Sequence, residues 1–220
     1  MGQRLLRANE NLARENRVRF AAAGTFVVNL MSSPGAGKTT LLELTLQRLR
    51  KSYKTGVIEG DMYTTRDAQR IAGQGVEVVQ INTAGVCHLD AAMVARSLEE
   101  LREGRYDMLF IENVGNLVCP AEFDLGEDAK VALLSVTEGG DKPAKYPLVF
   151  QRARVVLVTK VDLIPHTDFD LEAVSKELRA INPEANMLLV SAKTGEGIEE
   201  WCGWLEGMSQ KKRAGKSVPG

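Results

Sequence analysis

Residues 26–40 are read as an apolar strand that runs into a glycine-rich loop and then into a helix. In such a loop the backbone N–H groups turn inward around phosphate oxygens, and the positive end of the helix dipole adds to the attraction. Lys38 can neutralise the β and γ oxygens of a nucleotide triphosphate, and the Thr39 hydroxyl can ligate Mg²⁺. Lys38 is therefore a predicted catalytic residue. The predicted phosphate-binding residues are Ser33, Pro34, Gly35, Ala36, Gly37, Lys38, Thr39 and Thr40.

The loop departs from the usual pattern at its first position, where Ser32 stands in place of glycine. Serine is tolerated there if the backbone does not need a positive φ. The plain alternative for the whole segment is a strand-to-helix turn without a ligand. The apolar strand before the loop and the leucine-rich helix after it favour the triphosphate site.

Two carboxylates follow other predicted strands. In an open α/β sheet, ligands bind at the carboxyl ends of the strands. Glu112 ends the predicted strand 107–112, and Asp61 follows the predicted strand 56–59. Both are predicted Mg²⁺ ligands. Asp61 is also a predicted catalytic residue, since it could orient the attacking water; a helix cap or turn residue is the alternative for it.

A third strand end indicates which base is bound. Residues 159–162 read Thr-Lys-Val-Asp, a variant of the guanine signature in which the aspartate accepts hydrogen bonds from guanine N1 and N2. Adenine has no donors at these positions, so this aspartate favours GTP over ATP. The stem of the lysine would lie along the base, and Ser-Ala-Lys at the next strand end would offer an N–H to guanine O6. The predicted base-binding residues are Thr159, Lys160, Asp162, Ser191, Ala192 and Lys193.

The cysteines suggest a second site. Cys87 and His88 follow the third strand, and Cys119 lies in the loop just after Glu112. Thiolate and imidazole ligands suit Ni²⁺ or Zn²⁺, but three ligands do not close a tetrahedral site. Water, a mobile donor or a second copy across a two-fold axis would complete it. From spacing alone, a small buried cysteine beside a helix-entry histidine is an equal alternative, and Cys202 is predicted to be a packing residue.

Composition excludes several partners. The chain of 220 residues has 28 basic and 29 acidic residues, a net charge of −1, which gives no attraction to nucleic acid or an anionic membrane. The aromatic share of 5% argues against a base-stacking surface. No apolar run is long enough to span a membrane, and the N-terminus lacks the apolar core of a signal peptide. We expect a cytoplasmic protein with three reduced thiols.

Apolar strand candidates alternate with helical stretches along the chain. They lie at about residues 26–31, 56–59, 76–81, 107–112, 130–136, 154–159 and 187–191. Such alternation predicts an α/β fold of the P-loop NTPase (Rossmann-like) type, with three layers, a mostly parallel sheet and an appended N-terminal helix. The predicted organisation is an amphipathic helix at 1–23, one P-loop GTPase domain at 24–208 and a disordered tail at 209–220.

With these motifs in place, the chain resembles the HypB family of hydrogenase maturation factors, the GTPases that assist nickel insertion into nickel–iron hydrogenase. The resemblance covers essentially the whole chain and is carried by the phosphate loop, Glu-Gly-Asp at 59–61, Gly-Val-Cys-His at 85–88, Glu-Asn-Val-Gly-Asn-Leu-Val-Cys-Pro at 112–120, residues 138–147 and Thr-Lys-Val-Asp at 159–162. It implies slow hydrolysis of GTP, a homodimer formed with nucleotide, and Cys87, His88 and Cys119 as the metal ligands. The hydrogenase large subunit and other maturation factors are the implied partners.

Two departures from this family limit the expectation. Some members begin with a cysteine-rich nickel motif or a histidine-rich stretch, and neither is seen here, so nickel storage is not expected. The related urease GTPases carry Cys-Pro-His, whereas this chain has Cys-His and a separate Cys-Pro. A urease or cobalamin-enzyme accessory GTPase, a small-molecule P-loop kinase and a nucleotide-independent metal adaptor are the alternatives. Because one loop continues from Glu112 to Cys119, we hypothesise that the GTP state controls dimerisation and metal release.

Overall fold

Seven parallel strands form the centre of the computed structural model, which describes residues 2–61, 65–101 and 105–215. Their order across the sheet is β3-β2-β4-β1-β5-β6-β7, so the strand before the phosphate loop is central. The predicted strands all exist, with boundaries within two residues of the expected ones. The strands are β1 Phe26–Ser32, β2 Thr55–Asp61, β3 Glu77–Asn82, β4 Met108–Glu112, β5 Ala129–Ser135, β6 Val155–Thr159 and β7 Asn186–Val190.

Helices cover both faces of this sheet. Alternate β1 residues point to opposite sides, with Phe26 and Val28 packed in one apolar cluster and Val27 in another. Strands buried on both faces are continuously apolar, which is why they were recognisable in the sequence. The three-layer α/β prediction is confirmed. The helices are α1 Gly2–Ala23, α2 Lys38–Leu49, α3 Arg66–Ala72, α4 Ala91–Glu100, α5 Cys119–Glu122, α6 Lys142–Lys145, α7 Pro147–Arg152, α8 Leu171–Ile181 and α9 Ile198–Arg213.

The register of the sheet aligns the polar strand ends. Glu59 of β2 lies beside Glu112 of β4, and Leu30 of β1 lies on the other side of Glu112. At the opposite half of the sheet, Thr159 of β6 lies beside Val190 of β7. All the strand pairs are parallel, so their carboxyl ends meet at one edge, where the predicted site residues are gathered.

The N-terminal helix α1 packs onto the domain through two asparagines as well as through part of its apolar face, where Phe20 is buried in the same apolar cluster as Val27 of β1. Val18 is 68% exposed, whereas Asn16 is 1% exposed. The Asn16 Nδ2 donates to the carbonyl oxygens of Ala91 and Leu125, at 2.9 and 3.1 Å. Asn9 accepts from the N–H of Ala91 at 2.8 Å. A helix is therefore present over Gly2–Ala23 of the predicted range 1–23, with residue 1 outside the described part of the chain, and hydrogen bonds to buried backbone groups fix its position together with the buried Phe20.

The predicted disorder from residue 209 onwards is wrong for the first part of that segment. Helix α9 continues to Arg213, because its last turn is tied to the sheet side of the domain. Lys212 pairs with Asp128, and Arg213 pairs with Asp107. Residues 216–220 lie outside the described part of the chain. Within the described ranges, no helix combines the length and the apolar character that crossing a membrane requires.

The docking of α1 gives a stability prediction. Replacing Asn16 by alanine leaves two buried carbonyl groups without their donor, so we expect the free energy of unfolding to fall by about 2 kcal/mol. Urea denaturation followed by circular dichroism measures this change. Asn11 lies on the same helix and is exposed, so Asn11→Ala is the control, with an expected change within about 0.5 kcal/mol. Equal effects of the two substitutions would contradict the assigned role of Asn16.

Candidate functional site

The phosphate loop has the backbone geometry that its sequence predicts. Gly35 and Gly37 have φ values of +75° and +95°, a conformation that other residues adopt only with strain. Among the described residues other than glycine, only Ala84 and Lys160 have a positive φ, so Ser32 fits its position without strain. Helix α2 begins at Lys38. Its N-terminus therefore faces the loop and favours an anion there.

Ser32 also has a role that the sequence did not reveal. The Lys38 ammonium donates to the Ser32 Oγ at 3.0 Å, and that hydroxyl donates to the carbonyl of Ser33 at 2.6 Å. Lys38 is only 8% exposed, and burial lowers its pKa against the opposing effect of the Glu112 charge. The serine that replaces the usual glycine thus holds the predicted catalytic lysine. Only the fold brings these two side chains together.

Carboxylates at the ends of β2 and β4 form an oxygen-rich group beside this lysine. The Thr39 hydroxyl donates to Glu112 Oε1 at 2.7 Å. The other oxygen of Glu112 and the Oε2 of Glu59 are buried and have no hydrogen-bond partner among the residues that the structure describes. Asp61 lines the same cavity. Because buried carboxylate oxygens are rarely left without a partner, this donor set fits a hard divalent cation such as Mg²⁺.

Burial also shifts the protonation of this group. The pKa of Glu59 rises to about 8 through burial, with a further contribution from the neighbouring charge of Glu112. Burial raises the pKa of Glu112 to about 7, while the Lys38 ammonium and the Thr39 hydroxyl oppose the rise. A bound cation would favour the charged forms. The sequence analysis did not select Glu59, although it is the last residue of the predicted strand 56–59, and the register places it beside Glu112.

Two adjoining cavities extend from the loop. One, of about 430 Å³, is lined by the loop and the carboxylates. The other, of about 340 Å³, is lined by the residues predicted to hold the base. Gly37, Thr40 and Lys160 line both cavities, so these three residues mark the junction between them. The cavity around the phosphate loop therefore adjoins the cavity lined by the predicted base-binding residues, which is the arrangement that a nucleoside triphosphate requires.

The base cavity has an acceptor held in place. Asp162 lines it and accepts a hydrogen bond at Oδ1 from the Ser191 hydroxyl at 2.6 Å. Thr159 donates to the carbonyl of Ala36 at 2.7 Å, and Lys160 donates to the carbonyl of Gly35 at 2.8 Å. These two hydrogen bonds connect the wall of the base cavity to the phosphate loop. Ala192 and Lys193 complete this wall, so the structure brings together all six predicted base-binding residues.

The predicted metal ligands also meet. Cys87 Sγ lies 3.1 Å from Cys119 Sγ and 4.0 Å from His88 Nδ1, and all three ligand atoms lie within 4.8 Å of one another. The His88 ring stacks on Phe123 with 3.9 Å between the centroids, and burial lowers the pKa of the imidazole. A neutral imidazole is the form that binds metal. The nitrogen and sulfur donors suit Ni²⁺ or Zn²⁺.

One loop connects the two sites. Asn113 directly follows Glu112, and its Oδ1 accepts from the N–H of Leu89, the residue after His88, at 3.1 Å. Asn116 donates to the carbonyl of Cys87 at 3.4 Å. The cation group and the metal ligands are therefore attached to opposite ends of the same short segment. The sequence placed both on one loop, but it did not show these hydrogen bonds.

The family model described as "CobW/HypB/UreG, nucleotide-binding domain" matches residues 26–189. The hydrogenase maturation factor HypB of Azotobacter chroococcum mcd 1 is 54% identical over 204 residues, which are 93% of this chain and 67% of that protein. The crystal structure of HypB from Helicobacter pylori in complex with nickel has a TM-score of 0.88 and 39% identity, and the match covers 96% of this chain and 97% of that one. HypB from Archaeoglobus fulgidus has a TM-score of 0.87 and 39% identity, over 93% of this chain and 100% of that one.

The cysteine and histidine geometry gives a binding prediction. Cys119→Ser replaces a soft donor with a hard one, and we expect the affinity for Ni²⁺ and for Zn²⁺ to fall by roughly tenfold or more. Anaerobic titration against a chromophoric chelator measures both affinities. Cys202→Ser is the control, because Cys202 is 7% exposed and packs in the core, as predicted. If the two variants bind these metals equally well, Cys119 is not a ligand.

Proposed function

The chain belongs to the HypB family of hydrogenase maturation factors, and on that premise we propose that it is a Mg²⁺-dependent GTPase that delivers nickel to a hydrogenase. One observation carries the proposal. The phosphate loop and the cluster of Cys87, His88 and Cys119 lie at the same edge of one sheet and share the loop after Glu112. A nucleotide site and a transition-metal site joined in this way suit a protein whose metal binding depends on its nucleotide.

Guanine is the proposed base. Ser191 donates one hydrogen bond to Oδ1 of Asp162, and the remaining acceptor sites on the two carboxylate oxygens can accept from guanine N1 and N2. Adenine offers no donors there, and a site built to accept hydrogen bonds rejects a ligand that lacks them. The ATP-dependent kinase is therefore the less favoured alternative. A urease or cobalamin-enzyme accessory GTPase remains a competing role within the wider family named by the domain model.

For hydrolysis we propose separate roles for three groups. Lys38 neutralises charge on the β- and γ-phosphate oxygens as the bond to the leaving group lengthens. Asp61, at the end of β2, lines the phosphate cavity and orients the attacking water through its carboxylate. Thr39 and Glu112 would hold Mg²⁺, which when bound neutralises phosphate charge. The products are GDP and phosphate, and a slow intrinsic rate is proposed from the family resemblance.

Nickel is the proposed cargo of the cysteine and histidine cluster, with Zn²⁺ as a second occupant of the same ligands. The related protein from Helicobacter pylori was crystallised with nickel. Three protein ligands leave a position open, and we propose that a second copy of the chain contributes to closing the site in a homodimer. The acceptor would be the hydrogenase large subunit, reached with other maturation factors. Two free thiols as ligands also favour a reducing compartment, and we propose the cytoplasm.

A contact between two loops supports control of the metal by the nucleotide. Gly115 lies against Pro34 of the phosphate loop so closely that an added Cβ would be 3.0 Å from the proline Cα. A shift of the phosphate loop on binding GTP would therefore press on residue 115. Asn116, the next residue, holds the Cys87 carbonyl. We propose that this contact transmits the nucleotide state to the metal ligands and to the dimer contact beside them.

Measuring hydrolysis and base preference together tests the proposed function. With Mg²⁺, the protein should release phosphate from GTP and not from ATP, and Lys38→Ala should abolish the release. Asp162→Asn exchanges the acceptor for an amide that can donate to a base carbonyl, so its preference should move from GTP towards xanthosine triphosphate. Phosphate release and competition between the nucleotides are the readouts.

The alternatives predict other results in the same assay. A kinase would prefer ATP and would leave GTP intact. A nucleotide-independent adaptor would hydrolyse neither nucleotide, and Lys38→Ala would leave its metal binding unchanged. If Asp162→Asn releases phosphate from GTP as the parent protein does, this aspartate does not select the base.

A further inference from the structure

Arg70 is a cation of the nucleotide site to which the proposed mechanism gives no role. It lies on α3 and lines the phosphate cavity together with Lys38 and Lys160. Its side chain is 44% exposed, so the guanidinium faces the open cleft. Guanidinium groups bind phosphate oxygens through two parallel hydrogen bonds, which is why arginine is common at phosphate sites.

The guanidinium is held at one point of the cleft. Its Nη2 donates to the Thr40 hydroxyl at 3.1 Å and to Glu43 Oε2 at 2.6 Å. The Nη1 lies 3.4 Å from Asp67 Oδ1. Two carboxylates and a hydroxyl thus hold the arginine directly beside the residue that follows Lys38 and Thr39 in the phosphate loop.

Thr40 identifies the phosphate within reach. It lines both the phosphate cavity and the base cavity, and therefore stands at their junction. In a guanine nucleotide the group between the sugar and the β-phosphate is the α-phosphate. A nucleotide that occupies both cavities therefore places its α-phosphate beside Thr40, next to the Arg70 guanidinium.

We propose that Arg70 is a phosphate-binding residue that contacts the α-phosphate of the bound guanine nucleotide. This inference rests on the proposed function and adds a specific contact to it. On binding, the guanidinium exchanges its hydrogen bond to Thr40 for one to a non-bridging phosphate oxygen and keeps its ion pair with Glu43. The arginine contributes equally to GDP and GTP, since both carry an α-phosphate.

A purely structural reading makes a different prediction. Arg70 also joins α3 to α2 through Glu43, and in that reading the ion pair alone matters. Removing either partner would then disturb nucleotide binding to the same extent. If Arg70 binds phosphate, removing the Glu43 charge leaves the guanidinium free to do so. Glu43→Gln therefore separates the two roles while it preserves the size of the side chain.

Equilibrium titration with fluorescent GDP and with a fluorescent, non-hydrolysable GTP analogue, both with Mg²⁺, tests the inference on the full chain. For Arg70→Ala we expect both affinities to fall by the same factor, about tenfold or more. Arg70→Lys keeps a charge without the forked geometry and should lose part of the affinity. Glu43→Gln should stay within about twofold of the parent protein, because a charge-assisted phosphate bond remains possible.

Arg66→Ala is the matched control. Arg66 is exposed one turn earlier on the same helix, and the described residues give it no ion pair, so removing its charge should leave both affinities within about twofold.

Three results overturn the inference: unchanged affinities in Arg70→Ala, an equal loss in Glu43→Gln, or a loss confined to the GTP analogue. If the parent protein binds neither nucleotide, the proposed function itself fails, which is a distinct result from normal binding by Arg70→Ala. Thermal melts identify a variant that has lost its fold, in which case Arg70→Lys decides.

Discussion

Ionisable side chains buried at the carboxyl edge of the central strands are the constraint on which the rest of the structure depends. Lys38, Glu59 and Glu112 are each less than a tenth exposed and lie around the start of α2. Removing charges from water is costly unless opposite charges or hydrogen bonds compensate. The protein compensates in part, through the bonds from Lys38 to Ser32 and from Thr39 to Glu112. A triphosphate with a divalent cation would supply the remaining compensation, since it brings negative charge to the lysine and positive charge to the carboxylates.

The loop that follows Glu112 connects the nucleotide site to the transition-metal ligands. Glu112 ends β4, and the chain has only a short loop before it reaches Cys119 at the start of α5. That loop packs on Pro34 at Gly115 and is bonded to the Cys87 segment through Asn113 and Asn116. A segment with contacts on both sides offers a path through which a change at one site would reach the other. The proposed coupling is therefore a consequence of packing, and it requires no large conformational change.

Most of the fold could be predicted because each central strand is a mostly apolar run, and each motif follows such a run. The phosphate loop, the Thr-Lys-Val-Asp segment and the three metal ligands were recognisable for the same reason: local spacing and the edge rule for parallel sheets specify them. The structure confirms that these side chains meet. Their roles in binding remain proposals.

Most of the remaining features depend on contacts between distant parts of the chain, and the exception is a contact within the phosphate loop. Ser32 was recognised only as a tolerated substitution, although it holds Lys38. Glu59 ends the predicted strand 56–59, but only the register shows that it lies beside Glu112. Asn16 binds carbonyls 75 and 109 residues away, so no local pattern marks it as the buried face of α1. The last turn of α9 was read as a polar tail because its ion pairs are equally distant in sequence.

The central claim is that the nucleotide state changes the metal site. The direct test is the affinity for Ni²⁺, measured anaerobically on the same protein loaded with Mg²⁺ and either GDP or a non-hydrolysable GTP analogue. The account predicts affinities that differ by about fivefold or more between the two states, as expected for coupled sites. Equal nickel affinities in both states would contradict it and would leave two independent sites on one fold.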